Sequence, residues 1–422
     1  MKVLLISANT ERMNILPLPL GPAFVAASTR RAGHDVVLLN LMFEGDTKSA
    51  IQDCVSEFRP EVIGISVRNI DDQNMADPKF LLTPIREVVV TCRHLCHVPI
   101  VLGGAGYSIF PASALRYLGA DMGIQGEGET TFPALLECLT KGAQVCGLPG
   151  LYLPGQPLPK RSFAQNLDSL PLPEPGLWIP AISGRAEFWV PIQSRRGCAL
   201  DCSYCSTSAI EGRALRSRSP EAIATWMRQL VSSGFTNFNF VDNTFNLPAD
   251  YAKELCRKIL ERGLGINFWC IIYSKWIDRE LVELMARAGC REISLGFESG
   301  SDRVLESLNK QFKAEEVRTV SKMFADVGIF RRGFLLVGGP GETKESVEES
   351  LAFADSLDLD AMKVTVGLRI YPETPLAASA LAEGVIQPVD DLLRPRFYLA
   401  PQLVDWLPER IGVYKTSRSW VM

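Results

Sequence analysis

Apolar runs and amphipathic stretches alternate along the first 145 residues of the chain. The runs are short and rich in Val, Ile and Leu, and they predict buried strands at 3–7, 36–40, 62–67, 100–104 and 122–125. Apolar residues at helical spacing follow them, at 22–32, 48–58, 80–93, 112–118 and 131–141. Apolar strands separated by helices are typical of a parallel sheet covered on both faces. Residues 1–145 therefore predict a doubly wound α/β domain.

The glycine-rich turns of this region follow two of the predicted strands. Gly103 and Gly104 end the fourth strand, and Gly126 and Glu127 follow the fifth. Flavodoxin-like and Rossmann-like sheets bind their ligands beyond the carboxyl ends of the strands. We expect a flavodoxin/Rossmann-like domain with a ligand at this edge.

The strand–helix pattern stops at 146 and resumes at 188. Prolines crowd residues 146–187, which predict a semi-rigid linker. Within 188–376, strands are expected near 188–195, 237–242, 266–272, 291–297, 333–337 and 362–369. Six such units are too few for a closed eight-stranded barrel, so we expect a partial (β/α)6 barrel. Ser219 and Thr343 are predicted helix N-caps, and residues 377–422 are expected to cap the barrel or shape its pocket.

Three cysteines lie close together at the start of the second region. Cys198, Cys202 and Cys205 form a Cys-x3-Cys-x2-Cys array. Three thiolates can hold three corners of a four-iron cluster and leave the fourth iron open, whereas structural zinc sites close at four ligands. An incomplete zinc site is the alternative, but no fourth thiol or histidine lies nearby in the sequence.

Composition narrows the class of protein further. The 422 residues suffice for two or three domains, and 47% are hydrophobic and 22% charged. A formal charge of -4 gives no reason to expect nucleic acid or an anionic membrane as a partner. No apolar run is long enough for a transmembrane segment, and the N-terminus does not resemble a signal peptide. Because the other cysteines are scattered and are expected to be core residues, a reducing, cytoplasmic location is predicted.

The cysteine array, with Tyr204 before its last cysteine, resembles the signature of radical S-adenosylmethionine (SAM) enzymes. In that family the open iron binds SAM, and reduction cleaves SAM to a 5′-deoxyadenosyl radical. The segments 240–245, 296–300, 335–343 and 367–375 resemble later strand ends of the same barrel, in the right order. The resemblance implies a [4Fe-4S] cluster on Cys198, Cys202 and Cys205, and SAM contacts from Tyr204, Asp242 and Glu298. Arg213, Arg216 and Arg218 are left open between structural ion pairs and roles beside the cluster.

The order of the two domains is similar to that of cobalamin-dependent radical SAM enzymes. Ser66 and Val67 at the third strand, and Gly103 and Gly104 at the fourth, resemble the residues that admit the nucleotide tail of cobalamin. Gly126 and Glu127 match the remaining edge of that pocket. An empty domain, or one that binds another nucleotide, is the alternative.

One expected cobalamin motif is missing. The loop at 8–21 after the first strand contains no histidine, and His34, His94 and His97 are predicted near helix ends instead. The resemblance therefore implies a base-off cobalamin without histidine ligation.

The function predicted from this resemblance is a cobalamin-dependent radical SAM methyltransferase. Methylcobalamin would methylate an unactivated centre of a small or lipid-like substrate, and an electron donor such as flavodoxin or ferredoxin would reduce the cluster. An oxidative cyclase or ring-rearranging enzyme with the same cofactors is the main alternative. A methylthiotransferase would need three more cluster cysteines near the N-terminus, and a non-catalytic sensor would leave the intact cysteine array hard to explain.

Overall fold

The computed structural model describes residues 1–11, 18–145, 147–179 and 188–422. Cys146, Pro180 and part of the predicted histidine-free loop, 12–17, lie outside the described residues. The chain divides into two compact units. Unit 1 contains the described residues of Met1–Asp72, Pro78–Ser183 and Ser206–Ser217, and unit 2 those of Gln73–Asp77, Gly184–Cys205 and Arg218–Met422.

Unit 1 contains the predicted doubly wound sheet. Its strands are β1 (Lys2–Ser7), β2 (Asp35–Asn40), β3 (Val62–Ser66), β4 (Ile100–Gly103), β5 (Met122–Ile124) and β6 (Leu151–Tyr152). The order is β2-β1-β3-β4-β5-β6; β1 to β5 pair in parallel and β6 pairs antiparallel with β5. The first five strands thus have the flavodoxin-like order, as predicted.

The sixth strand corrects the five strands expected from the sequence. Leu151 and Tyr152 lie in the predicted linker, where a two-residue strand between Gly150 and Pro154 gives no detectable periodicity. Leu167 and Trp178, farther along the same segment, are also buried. Proline content therefore concealed a segment that packs on unit 1.

Helices of unit 1 lie between its strands, where apolar spacing predicts most of them, and one more follows β6. They are α1 (Leu20–Arg31), α2 (Thr47–Phe58), α3 (Leu82–Leu95), α4 (Ala105–Ile109), α5 (Pro111–Leu118), α6 (Gly128–Thr140) and α7 (Pro175–Trp178). Helix α1 packs with α6, whereas α3 packs with both α2 and α5. These two groups are the expected layers of a doubly wound domain.

Unit 2 is the predicted partial barrel. The next elements of the chain are β7 (Trp189–Ile192), β8 (Arg195–Arg196), α8 (Thr207–Glu211), β9 (Arg216–Ser217), α9 (Pro220–Ser232), β10 (Asn237–Phe240), α10 (Ala249–Glu261), β11 (Asn267–Ile272), α11 (Arg279–Ala288), β12 (Cys290–Glu298), α12 (Asp302–Ser307), α13 (Ala314–Asp326), β13 (Phe330–Val337), α14 (Lys344–Ser356), β14 (Ala361–Val366), β15 (Leu368–Arg369), α15 (Pro375–Ala382), β16 (Phe397–Tyr398) and α16 (Leu407–Thr416). Six strands, β7 and β10 to β14, form one parallel sheet in chain order. Helix α8 and strand β9 lie in this part of the chain but belong to unit 1.

Local capping signals in unit 2 are confirmed. The Ser219 side chain accepts a hydrogen bond from the Ala222 N–H, with Pro220 in the first turn of α9. Thr343 accepts from the Ser346 N–H at the start of α14. Each oxygen satisfies a backbone donor that the first helical turn leaves unpaired, which is why the sequence marks these two helix starts clearly.

The end of the chain packs on the second unit. The Ala400 N–H donates to the Gly338 carbonyl (2.9 Å), in the turn after β13. Trp420 and Met422 exchange backbone hydrogen bonds with Met362 of β14, at 2.8 and 2.7 Å. These bonds cover part of the outer edge of β14, which would otherwise expose unpaired strand groups.

The scattered cysteines are only partly in the core. Cys92, Cys256, Cys270 and Cys290 are buried as predicted, whereas Cys54, Cys96 and Cys138 are half-buried, which corrects that expectation. The last three lie on or just after helices whose other face is exposed. Within the described residues, no helix is long and apolar enough to cross a membrane.

Candidate functional site

The cysteine array forms the loop between β8 and α8. Cys198 is buried and Cys202 and Cys205 are half-buried, and all three are thiols rather than disulfides. Gly197 precedes the first cysteine with a φ of 85°, a backbone conformation that glycine adopts without strain. The loop therefore presents one buried and two half-buried thiols.

Backbone contacts hold this loop in place. The Ser203 N–H donates to the Leu308 carbonyl (3.0 Å), and the Leu376 N–H donates to the Ser203 carbonyl (2.9 Å). The Asn309 side-chain amide donates to the Asp201 carbonyl (2.6 Å). The segment after α12 and the start of α15 thus fix the loop through groups other than its sulfurs.

The three thiols suit a cluster better than a single ion. No group of three His, Cys, Asp or Glu side chains within the described residues converges to hold one metal ion. In a four-iron cluster each cysteine binds a different iron, so its sulfurs need not meet at one point. The donor set, three thiols on one fixed loop, therefore fits a [4Fe-4S] cluster with one iron open.

Tyr204 and Glu298, two predicted SAM contacts, lie side by side. The Tyr204 hydroxyl donates to Glu298 Oε1 (2.9 Å). Burial, together with the neighbouring Glu298 carboxylate, raises the pKa of Tyr204 well above its ordinary value. Tyr204 is therefore a neutral donor that orients the carboxylate.

Lys310, which belongs to no motif recognised in the sequence, completes this group. Its ammonium lies 3.2 Å from Glu298 Oε1, and the side chains of Lys310 and Glu298 are 5% and 15% exposed. It also lies over the Tyr204 ring, 5.3 Å from the centroid. Burial acts to lower the pKa of Lys310, but the neighbouring Glu298 carboxylate acts to raise it, and the net pKa is well above the ordinary value. The cation is 112 sequence positions from Cys198, so only the fold could reveal it.

Glu298 has an unusual backbone. It ends β12 with a φ of 63°, and the pairing with β13 shifts register between Gly296 and Glu298. A Cβ on Gly296 would lie only 3.1 Å from Glu298 Oε1. The bulge turns the carboxylate toward the strand ends, and the glycine leaves room for it. Such strain in a non-glycine residue is typical of functional sites.

Asp242, the third predicted SAM contact, links the ends of β7 and β10 through hydrogen bonds. Its Oδ1 accepts from the N–H groups of Ser194 (2.7 Å) and Arg195 (2.9 Å). Its Oδ2 accepts from the Ser194 hydroxyl (2.5 Å) and pairs with the Arg195 guanidinium (3.3 Å), and the side chain is 2% exposed. Both oxygens are thus engaged by residues after β7, and a SAM contact by Asp242 stays a prediction.

The turn after β13 carries a second buried carboxyl group. Glu342 Oε2 accepts from the N–H groups of Gly338 (2.5 Å) and Gly339 (2.7 Å). Burial raises the pKa of Glu342 to about 7, although those two hydrogen bonds act to lower it. The glycines stand out in the sequence. Only the folded turn reveals that Glu342 accepts hydrogen bonds from their N–H groups.

Two neighbouring residues of the barrel sheet carry buried polar atoms that find no partner in the described part of the chain. Asn239 and Trp269 are paired in register on β10 and β11, so their side chains lie on the same face of the sheet. Asn239 Oδ1 and Trp269 Nε1 are buried and have no hydrogen-bond partner among the described residues. An acceptor and a donor left together in this way fit a polar ligand such as SAM.

In unit 1 the predicted cobalamin residues lie at the carboxyl ends of neighbouring strands. Ser66 of β3 is paired with Gly103 of β4, and the Val67 N–H donates to the Gly103 carbonyl (2.7 Å). Gly104 has a φ of 102°, and a Cβ there would lie 2.5 Å from the Val67 carbonyl oxygen. Among the residues that the structure describes, a Cβ on Gly103 would meet only the Ile124 oxygen, at 3.9 Å. Gly103 thus leaves an open surface that a bulky ligand can approach closely, which fits cobalamin.

Gly126 and Glu127 border the same edge. The Gly126 N–H donates to the Ser108 hydroxyl (2.9 Å). The Glu127 carboxylate accepts from the Ala164 N–H (2.8 Å) and pairs with Arg216 (2.5 Å). Of the two possibilities left open for Arg216, the structure thus shows an ion pair, made within unit 1.

All three histidines of the chain lie at the opposite edge of this sheet. His34 directly precedes β2, and His94 and His97 lie at the end of α3 and just before β4. These positions are the amino ends of the strands, whereas Ser66 and Gly103 are at the carboxyl ends. The histidines thus lie away from the predicted cobalamin residues, and a cobalamin without histidine ligation stays a prediction.

Comparison with known proteins identifies both domains. Residues 192–354 match the Radical SAM superfamily, and residues 16–136 match the B12 binding domain. An uncharacterised methyltransferase of Pyrococcus horikoshii is 28% identical over 92% of this chain and 84% of its own length. The tryptophan 2-C-methyltransferase of Streptomyces laurentii is 25% identical over 90% of this chain and 74% of its own length.

A solved structure has the same fold over the whole chain. The radical S-adenosylmethionine methyltransferase TsrM of Kitasatospora setae, with cobalamin and a [4Fe-4S] cluster bound, aligns with a TM-score of 0.86 at 22% identity. The alignment covers 100% of this chain and 90% of that protein. The predicted α/β fold, with its doubly wound sheet and partial barrel, is thereby confirmed. The chain is a radical SAM enzyme that carries an N-terminal B12-binding domain, the domain pair of cobalamin-dependent radical SAM enzymes.

Proposed function

We propose that the protein is a methyltransferase that transfers a methyl group from SAM, through cobalamin, to an unactivated centre of a small or lipid-like molecule. The proposal is supported most directly by its relatives. Two proteins named as methyltransferases align with nine-tenths of this chain, across both domains. A likeness confined to the barrel would support only shared SAM chemistry.

The cysteine loop and its neighbours supply the SAM site in this proposal. Cys198, Cys202 and Cys205 hold the cluster, and Glu298, oriented by Tyr204, binds SAM. When bound, the cluster and SAM supply the one-electron chemistry that activates a C–H bond, and cobalamin supplies methyl transfer. The protein contributes positioning and exclusion of water.

The carboxyl edge of β3, β4 and β5 supplies the cobalamin site. Ser66, Val67, Gly103 and Gly104 admit the nucleotide tail, and Gly126 and Glu127 form the far side. The Glu127–Arg216 ion pair supports this role, because both side chains are nearly buried (8% and 3% exposed) and hold the turn after β5 in one conformation.

For the substrate we propose only a chemical class. Tryptophan, the substrate bound in one structure of TsrM, is a small molecule. We propose an acceptor of comparable size or a lipid-like molecule, and a flavodoxin or ferredoxin as electron donor.

Oxidative cyclisation or rearrangement with the same cofactors is the alternative, and SAM products separate the two functions. Anaerobically reconstituted enzyme with cobalamin, SAM and a reductant is assayed for S-adenosylhomocysteine and 5′-deoxyadenosine. Methyl transfer predicts S-adenosylhomocysteine in amounts that depend on added cobalamin. Release of deoxyadenosine without any S-adenosylhomocysteine, in the presence of cobalamin and the acceptor, would refute it and favour cyclisation.

The control for this assay is a triple variant, Cys198→Ala, Cys202→Ala and Cys205→Ala. It removes the proposed cluster ligands and is expected to release no deoxyadenosine. Deoxyadenosine release at the wild-type rate would contradict the assignment of these cysteines.

A further inference from the structure

We infer that Lys310 is a positioning residue whose positive charge stabilises the reduced form of the cluster and so raises its reduction potential. The inference rests on the proposed cluster at Cys198, Cys202 and Cys205 and deepens it. No sequence motif marks this lysine, and its role follows from where the fold places its ammonium.

The segment that carries Lys310 is fixed to the cysteine loop. Leu308 and Asn309, the two residues before it, bond to Ser203 and Asp201 between the first and last cysteines. The Lys310 N–H donates to the Leu305 carbonyl (2.8 Å) and the Asn309 N–H to the Glu306 carbonyl (2.9 Å), and Asn309 has a φ of 56°, so α12 ends in a Schellman cap that fixes the position of Lys310. The lysine backbone and the cluster ligands therefore keep a constant separation.

The ammonium is enclosed on several sides. Besides Glu298, it faces the rings of Tyr204, Tyr273 and Phe312, at 5.3, 5.8 and 5.9 Å from their centroids. Cys202, a proposed cluster ligand, also lies within electrostatic reach of Lys310. An aromatic cage and one carboxylate around a lysine hold its charge in one place.

A buried ammonium is costly to keep. Removing such an ion from water costs several kcal/mol, and pairing it with one carboxylate does no more than offset this cost. Three aromatic rings would pack equally well around an apolar side chain of the same length. The charge is explained if it acts on another group, and the fixed segment adjoins the loop that would hold the cluster.

Charge beside an iron–sulfur cluster changes its potential. Three thiolates and the Glu298 carboxylate are negative, and reduction adds one more negative charge. A cation held in a poorly solvated site favours the reduced form, because charges interact more strongly there than in water. Removing Lys310 should also leave Glu298 uncompensated, which disfavours reduction further.

The test is a redox titration of the cluster, followed by electron paramagnetic resonance, in the reconstituted holoenzyme. Lys310→Met removes the charge and keeps the length of the side chain, and Lys310→Arg is the matched control that keeps the charge. Lys310→Met should lower the midpoint potential by about 59 mV or more, a tenfold change in a one-electron equilibrium. Lys310→Arg should remain much closer to the wild type.

An unchanged midpoint in Lys310→Met would overturn the inference, because a merely structural lysine would not alter the potential. The signal comes only from chains that hold a cluster, so partial loss of iron does not obscure the result. Complete loss of iron in Lys310→Met with retention in Lys310→Arg supports a requirement for charge, and loss in both variants contradicts it. Absence of iron from the wild type would instead refute the proposed function.

Discussion

Glu298 combines an unusual backbone conformation, a charge paired with Lys310 and a proposed contact with SAM. A positive φ and a strand bulge turn its carboxylate toward Tyr204 and Lys310. The sequence could suggest Glu298 only through the resemblance of residues 296–300 to a known strand end. Neither the strained backbone nor the lysine partner follows from local pattern, because the bulge depends on the pairing with β13 and the ion pair depends on the turn that brings Lys310 back to Glu298.

Glu298→Gln should weaken SAM binding without emptying the cluster site. The change removes one charge and keeps the size of the side chain, and charge-assisted hydrogen bonds contribute about 1.5–3 kcal/mol. We expect the SAM dissociation constant to rise about tenfold, or roughly 1.4 kcal/mol. Equilibrium dialysis on cluster-loaded enzyme measures it, with iron content as the control. Unaltered SAM affinity would argue against a contact by Glu298.

The raised pKa of Glu342 predicts that the stability of the folded protein depends on pH. Its pKa is raised to about 7 in the folded protein, compared with about 4.3 when unfolded. The folded state therefore binds a proton more tightly than the unfolded one. This contribution to stability is fully present below about pH 4.3 and is lost as the pH rises through about 7, by an amount on the order of 3 kcal/mol.

Glu342→Gln should remove that pH dependence. The amide oxygen can still accept from Gly338 and Gly339 but does not titrate. The unfolding temperatures of both proteins are measured at pH 5 and pH 8. Between these two pH values the unfolding temperature of the wild type should fall more than that of the variant. Equal losses in the two proteins would show that Glu342 does not titrate in this range.

At the scale of elements, the sequence predicted best where structure depends on neighbours in the chain. The capping residues Ser219 and Thr343 and the parallel strands were found correctly, since caps and apolar periodicity are local signals. Strand β6 was missed because two residues have no period. The half-buried Cys54 shows the same limit, since an apolar neighbourhood in sequence does not decide which helix face is covered.

Two adjacent glycines after β4 give a matched test of the cobalamin edge. Gly104→Ala would put a Cβ 2.5 Å from the Val67 oxygen at a φ of 102°. It should destabilise unit 1 by about 2 kcal/mol or more. Gly103→Ala would bring its Cβ no closer than 3.9 Å to any described residue outside its immediate chain neighbours and should alter stability by less than about 1 kcal/mol. It should nevertheless lower the cobalt bound per chain.

Thermal unfolding and cobalt analysis of both variants decide between packing and binding. If Gly103→Ala binds as much cobalt as the wild type, cobalamin does not approach this turn closely. If Gly104→Ala is as stable as the wild type, the close approach to Val67 is not a constraint.

Asp242 should stabilise the ends of β7 and β10. Asp242→Asn removes the charge partner of a buried arginine, and breaking such a pair typically costs about 3–5 kcal/mol. The exposed pair Arg279–Glu283, at 3.1 Å, provides the control, and Glu283→Gln should cost less than about 0.5 kcal/mol. Urea unfolding measures both. Equal effects of the two substitutions would contradict the role of Asp242.

For the whole molecule, the order of the two domains carries most of the functional information. The cysteine array indicated radical SAM chemistry, and the sheet before it indicated a second cofactor. Both conclusions could be reached from sequence because each depends on a motif followed by a recognisable strand–helix pattern. The buried polar atoms of Asn239 and Trp269, which fit SAM, could not be predicted, since the two side chains come together only on the folded sheet.

The most direct test of the account is metal analysis of the anaerobically prepared protein and its triple cysteine variant. The wild type should hold about four irons per chain, and cobalt at about one per chain after loading with cobalamin. Replacing Cys198, Cys202 and Cys205 by alanine should abolish the iron and leave the cobalt, because the two sites are built from different parts of the chain. Full iron content in the triple variant, or no cobalt in the wild type, would contradict the account.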